Sequence, residues 1–317
     1  MSNIEMHSAN AILAIDSLDR YTRAGPGALG TTNESQPKTN ILFGYFTNSE
    51  PFFNNFTISS PGALIYGYID KIVVSQIQLQ YNIPTICLNR NDTFIIEWGV
   101  LPTVNRETVN ILYGFYTPTE LAAEITLAIA ALPALAPLDI TVTYSTEFGF
   151  IFTSGTNVDF YFPSFSSLLN DFTYESLERI FRTCKTLGMT IQNSLFASQQ
   201  VSSMTPNFLY TPYIDIFSDV LTNYQNVKDT NTSIAKPKGL IARIMLTGVG
   251  SPVSALIGTA PFLMTADLNS PKVIKWSPDV AVPSIDFQLR DCYGDLIPGV
   301  EEYLATEFQM TLLCIEG

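Results

Sequence analysis

The sequence predicts an all-β fold, a sandwich of about eight main strands with short helices held in its loops. Three observations predict it. Residues 207–317 run strand after strand, at 213–217, 240–246, 272–276, 285–290 and 307–315, between loops rich in Asn, Asp, Pro and Gly. Period-2 alternation recurs in Ile285, Phe287 and Leu289 and again in Phe308, Met310 and Leu312. Aliphatic and aromatic residues make up 46 % of the 317 positions, enough for a sizeable core, while charged residues are only 14 %, below the usual ~25 %.

Residues 1–50 differ from the rest and are expected to be an extended N-terminal arm preceding a folded domain over 51–317. A short apolar patch at 12–15 leads into Asp16-Ser-Leu-Asp-Arg20. A stretch rich in Gly, Thr, Asn and Pro follows, with too little apolar surface to fold alone. Two readings stand side by side: a loose leader, or an arm that orders on a partner with Ile12, Leu13 and Ile15 as anchors.

Strands then begin at 52–59 and 64–81. In the second, alternation places Ile72, Val74, Gln76, Gln78 and Gln80 on one face. Val73, Ser75, Ile77, Leu79 and Tyr81 fall on the other, giving an amide-rich outer face and an apolar inner one. Further strands are expected at 85–88, 93–98 and 109–115. Thr117-Pro-Thr-Glu120 is a capping box with proline at the first helical position, opening a helix over about 117–132. Its stripe of Leu121, Ile125, Ile129 and Leu132 should lie on a sheet or plug an end of the sandwich, and Pro133 and Pro137 stop it. Residues 139–145 and 149–153 read as a hairpin, and 158–162 as a short strand. A second helix is expected at about 174–187. Thr173 is its N-cap, acids come early and bases late, and Gly188 ends it, with Tyr174, Leu177, Phe181, Cys184 and Leu187 as the buried face. Eight to ten strands with helices tucked into loops is the pattern of a single jelly roll.

Composition excludes several roles. A net charge of −13 with no basic run argues against direct nucleic-acid binding, which needs clustered Lys and Arg. Cys87, Cys184, Cys292 and Cys314 are widely spaced, as expected of free thiols in a reducing compartment. The N-terminal residues lack the basic start and apolar core of a signal peptide, so the sequons at Asn33, Asn55, Asn91 and Asn231 are expected to stay unused. No apolar run approaches the ~20 residues of a membrane span. A soluble protein made in a cytosol is the expectation.

Catalytic chemistry is tested by which side chains are missing. His7, in the arm, is the only histidine, so neither a Ser-His-Asp triad nor a three-His metal site can be built. No phosphate-binding glycine loop occurs, and no cofactor is expected. Asp291 and Asp295 flank Cys292-Tyr-Gly294, where a turn with its Asp side chains on local amides is favoured over a calcium site. Trp98 and Trp276 read as strand aromatics ahead of sugar-stacking platforms.

Four phrases carry a family resemblance: Ile15-Asp-Ser-Leu-Asp-Arg20, the helix start TPTELAAEIT, the run Tyr213-Ile-Asp-Ile-Phe-Ser-Asp-Val-Leu-Thr-Asn-Tyr224, and Asp286-Phe-Gln-Leu-Arg-Asp-Cys-Tyr-Gly294 with Glu307-Phe-Gln-Met-Thr-Leu312. Together they resemble the minor capsid proteins of virophages, Polinton-like viruses and giant DNA viruses, above all the penton with its single vertical jelly roll. The resemblance implies a homopentamer at icosahedral vertices, among trimeric major capsid proteins and other minor capsid proteins. It implies a place in the virion, with assembly in the host cytoplasm at the viral factory. It assigns Asp16, Ser17, Asp19 and Arg20, with Ile12, Leu13 and Ile15, to an arm that ties the base to adjacent capsomers. Only one copy of the FQLRD-type ending occurs, which favours the penton over a double-jelly-roll major subunit. Another minor capsid or cement protein, a trimeric major-capsid-like subunit, and a receptor- or carbohydrate-binding jelly roll share these features.

Overall fold

The computed structural model describes residues 10–16, 54–59, 64–65, 69–100, 103–189, 196–223, 239–246, 261–267, 273–275, 281–298 and 308–316. In chain order the strands are β1 (Asn10–Asp16), β2 (Asn55–Ser59), β3 (Ile69–Tyr81), β4 (Thr93–Val100) and β5 (Thr103–Asn110). Next come β6 (Ile140–Ser145), β7 (Gly149–Ser154), β8 (Phe160–Tyr161), β9 (Gln199–Val201), β10 (Tyr213–Phe217) and β11 (Leu240–Met245). The last four are β12 (Phe262–Asp267), β13 (Val273–Lys275), β14 (Ser284–Arg290) and β15 (Phe308–Glu316). The helices are α1 (Pro118–Ala130), α2 (Phe165–Leu168), α3 (Tyr174–Thr186) and α4 (Asp219–Asn223).

Two compact units divide the chain. The first takes its described residues from 1–82, 211–249 and 262–317, the second from 83–210 and 250–261. The sequence pointed to one body over 51–317 with helices as loop insertions. The helices instead serve a second core, because the strands and helices of 83–210 bury their apolar faces on one another.

The first unit contains two antiparallel sheets, ordered β1-β15-β3-β12 (with β13 also on β3) and β11-β10-β14-β2. With the short β13 set aside, its eight strands numbered along the chain lie in the orders 1-8-3-6 and 5-4-7-2. That is the jelly roll the strand pattern predicted. Its inner faces meet where Phe308 of the first sheet packs on Phe56 and Phe287 of the second, ring centroids 5.9 Å apart in both pairs. The link from the third to the fourth strand of the roll carries the whole of 83–210.

Simple alternation fails in the middle of β3. Opposite Thr311 and Leu312 of β15 the register jumps from Gln76 to Val74, so Ser75 is an extra residue, a β-bulge. Its hydroxyl donates to the Thr311 carbonyl at 3.2 Å. The bulge puts Ile72 and Val74 on the same buried face as Ile77, Leu79 and Tyr81, correcting the two-face assignment. Gln76, Gln78 and Gln80 do face outward as expected, in the second half of the strand.

The second unit is built from local pieces. β4 pairs with β5 and β8 in one sheet, and β6 with β7 and β9 in another. Phe94, Phe152 and Phe162 interlock at 5.0–6.2 Å within a cluster of some two dozen buried residues. Helix α1 has the predicted capping box: Thr117 Oγ1 accepts from the Glu120 amide at 3.3 Å, and Glu120 Oε2 accepts from the Thr117 amide at 2.9 Å. Leu121, Ile125 and Ile129 are buried, and Thr126 Oγ1 accepts from the Val142 amide at 2.9 Å, fixing the helix to β6.

Three other expectations need correction. The strand expected at 85–88 is only an isolated bridge, Ile86 to Gly114. The strand placed at 109–115 lies earlier, as β5, because the polar run TVNRETVN zips onto β4 residue by residue from Thr103 to Asn110. Helix α3 with its C-cap buries Leu177, Cys184 and Leu187 as expected, but Tyr174 is 77 % exposed and Phe181 only partly buried, and Ile180, Thr183 and Thr186 are buried beside them. Two threonines can be buried there because each is bonded. Thr183 Oγ1 accepts from the Thr93 amide at 3.1 Å, and Thr186 Oγ1 from the Asn91 amide group at 3.0 Å. Strands β9 and β12 were not foreseen.

Candidate functional site

The residues singled out for an interface start at β1, which is no free arm over 10–16. Every residue from Asn10 to Asp16 pairs with β15, Ile315 to Gln309, making β1 an edge strand of the first sheet. Leu13 and Ile15 point inward, Leu13 half-buried and Ile15 only 4 % exposed, so they anchor the strand to its own sandwich. Ile12 points outward and is 72 % exposed. Asp16 closes the strand, its Oδ2 accepting from Gln309 Nε2 at 2.8 Å. Ser17, Asp19 and Arg20 lie outside the described residues, as do His7 and Trp276.

Beside Asp16, a shallow groove of about 300 Å³ opens on the outer face of the sheet, with Gln76, Gln78, Gln309 and Thr311 along it. Amides and hydroxyls both donate and accept but carry no charge. With the Asp16 carboxylate also lining it, the groove is suited to recognising polar groups.

Several charged groups among the described residues are tied into structure. In the first unit Arg243 reaches Asp215 with two bonds of 2.6 and 2.8 Å and lies 3.9 Å over the Tyr213 ring. Asp286, from the FQLRD phrase, caps α4: its carboxylate accepts from the Asp219 and Val220 amides and from the Ser218 hydroxyl at 2.8–3.1 Å. Asp291 is the predicted turn residue, 1 % exposed, its Oδ1 accepting from the amides of Tyr293 and Asp295 at 2.9 and 3.0 Å.

In the second unit Asp92 bonds Arg179 with both carboxylate oxygens. Glu97 is 3 % exposed and binds Arg106 at 2.5 Å and the Tyr161 hydroxyl, while Arg106 also reaches Asp171. Burial first, then the Glu97 carboxylate, pushes the Tyr161 phenol up to about 12, so it stays a donor. Burial pulls the Arg106 guanidinium down, but Asp171 and Glu97 outweigh that and leave it raised. The four cysteines are free thiols, and burial lifts Cys184 to about 12, far from thiolate chemistry. Among the described residues no group of three His, Cys, Asp or Glu is placed to hold a metal, and no helix is long and apolar enough to cross a membrane. Trp98 packs partly buried against the core of its unit, the strand-aromatic role expected of it.

No protein-family model matches the sequence, and no curated relative does. Solved structures do resemble it. The crystal structure of the mavirus penton protein matches over 98 % of this chain and 99 % of its own, at 10 % identity and a TM-score of 0.51, which establishes a shared fold. A chain of the Sputnik virophage, from a cryo-EM structure, aligns over 97 % of this chain and 98 % of its own at 12 % identity, with a TM-score of 0.42, too low to establish one.

Proposed function

We propose that this chain is a structural capsid protein of the virophage penton type, assembling as a homopentamer at icosahedral vertices. One observation carries the reading: the correspondence in fold with the mavirus penton runs the length of both chains, so it takes in the roll and 83–210 alike. The side chains support it. Buried ionic groups are spent on holding loops and strands, and the open groove carries uncharged amides suited to contact. Partners on this reading are four sister copies, trimeric major capsid proteins and other minor capsid proteins, in the virion and during its assembly in the host cytoplasm. Ser17, Asp19 and Arg20, just beyond the edge strand, stay the residues proposed to reach neighbouring capsomers.

Native mass measurement and negative-stain electron microscopy of the purified full chain test the proposal. Five-membered rings are expected. A strictly monomeric or trimeric protein that also fails to enter particles when coexpressed with major capsid protein would overturn it.

A further inference from the structure

The outer face of the sheet β1-β15-β3-β13 carries an apolar row that crosses all four strands. Ile12 pairs with Leu313, Leu313 with Val73, and Val73 with Val273. All four side chains point away from the sandwich, since their neighbours Ile72, Leu312 and Ile274 are each 0 % exposed and face inward. Ile12 is 72 % exposed and Val273 48 %. Single exposed apolar residues are ordinary, but a registered row with Ile315 alongside it is a surface built to be covered.

The next row adds charge. Lys71 and Lys275 are directly opposed across β3 and β13. Like charges in that position weaken a sheet. Lys71 has Asp70 at 3.3 Å, an exposed pair that contributes little. Two adjacent lysines give this face local positive charge in a chain whose net charge is −13, so a second copy is a net-acidic partner for it. Strands of 7, 9, 13 and 3 residues, at ~3.3 Å per residue and ~4.8 Å apart, present roughly 500 Å², short of the ~800 Å² per partner of a standard interface. Such a face suits a subunit held on two sides better than an isolated dimer.

We infer that this face, centred on Ile12, Leu313, Val73 and Val273 with Lys71 and Lys275 at its margin, binds a second copy of this chain. It does so in a heterologous contact, the kind that closes into rings. The inference rests on the multi-copy assembly proposed above and assigns it a surface.

The test compares full-length wild type, Ile12→Ser/Val273→Ser and Lys71→Glu/Lys275→Glu by native mass measurement and sedimentation over a concentration series. Both changed sites in each variant are on the outer face, so circular dichroism and thermal midpoints should match wild type. Each variant should associate at least tenfold more weakly, and 1 M salt should weaken the wild type while leaving the glutamate variant little changed. A Met245→Ser variant, exposed on the other sheet, should associate as wild type does. Folded variants that assemble like wild type would overturn the assignment while leaving multi-copy assembly standing. A wild type that never associates would sink the assembly reading itself. Were the serine variant to misfold, the charge-reversal variant decides alone.

Discussion

The two units of this chain differ in how far their pairings reach along the sequence. In the first, pairing joins distant residues: Asn10 meets Ile315, and Tyr81 meets Phe262. In the second, local hairpins such as Thr93↔Asn110 and Ile140↔Ser154 and the capping box at Thr117 come first. Its longer pairings, Glu97↔Tyr161 and Ile151↔Val201, still span far fewer positions than those two of the roll. Local contacts close small loops cheaply and form early, whereas distant strands are brought together only after large loop-closure costs. The difference predicts that 83–210 is self-sufficient, although it interrupts the other.

The strongest way to break this comparison is to cut the second unit out. Residues 83–210 expressed alone should fold, giving a cooperative thermal transition and dispersed amide resonances; an unfolded fragment would contradict the self-sufficiency drawn here.

Next in size is Phe287→Ala. Phe287 is 0 % exposed and touches Phe56 at 5.6 Å and Phe308 at 5.9 Å, so it holds both sheets of the roll. A loss of about 3–5 kcal/mol is expected. Hydrogen exchange should report it in β3, β10, β14 and β15 and leave β4, β6 and α1 protected; uniform loss would mean the units unfold as one.

Removing residues 1–16 sharpens the point about β1. Burying Ile15 alone contributes about 1.5–3 kcal/mol, and the seven-residue ladder to β15 goes with it. The roll should melt earlier in a calorimeter. An unchanged midpoint would return β1 to the status of an arm.

Smallest is the cap of α1. Thr117→Ala should cost the second unit about 1 kcal/mol. The Thr117 backbone amide, then its hydroxyl, hold the Glu120 carboxyl below its ordinary value of 4.5. A lowered native pKa stabilises above the unfolded value and is lost as pH falls through the native one. The gap in midpoint between wild type and Thr117→Ala should therefore narrow from pH 7 to pH 3.

Much of this was legible in the chain. The Thr117–Glu120 box, the alternation of Ile285, Phe287 and Leu289, and the Asp291 turn each act within a few residues, so their spacing states their role. The bulge was half visible: Ile72 and Val74 are out of phase with Ile77, Leu79 and Tyr81, and an extra residue between them restores one face. Strand β5 was misplaced because TVNRETVN has little apolar character of its own and is a strand through its partner. Tyr174 and Phe181 misled because aromatic residues at helical spacing imitate a buried stripe, while Ile180 and two bonded threonines joined Leu177, Cys184 and Leu187 on the buried face. The seat of Ile12 and the row it begins depend on the register of β15 some 300 positions away, which no local pattern encodes.

The antiparallel seat of β1 also decides how the roll answers to force. Residues 10 and 315 sit at the same end of one ladder, so tension applied through them parts the hydrogen bonds one after another, as a zip opens, instead of loading all of them in shear. A capsid that pulled on this protein through those ends would meet its weakest direction, and mechanical load is better carried through the broad sheet faces.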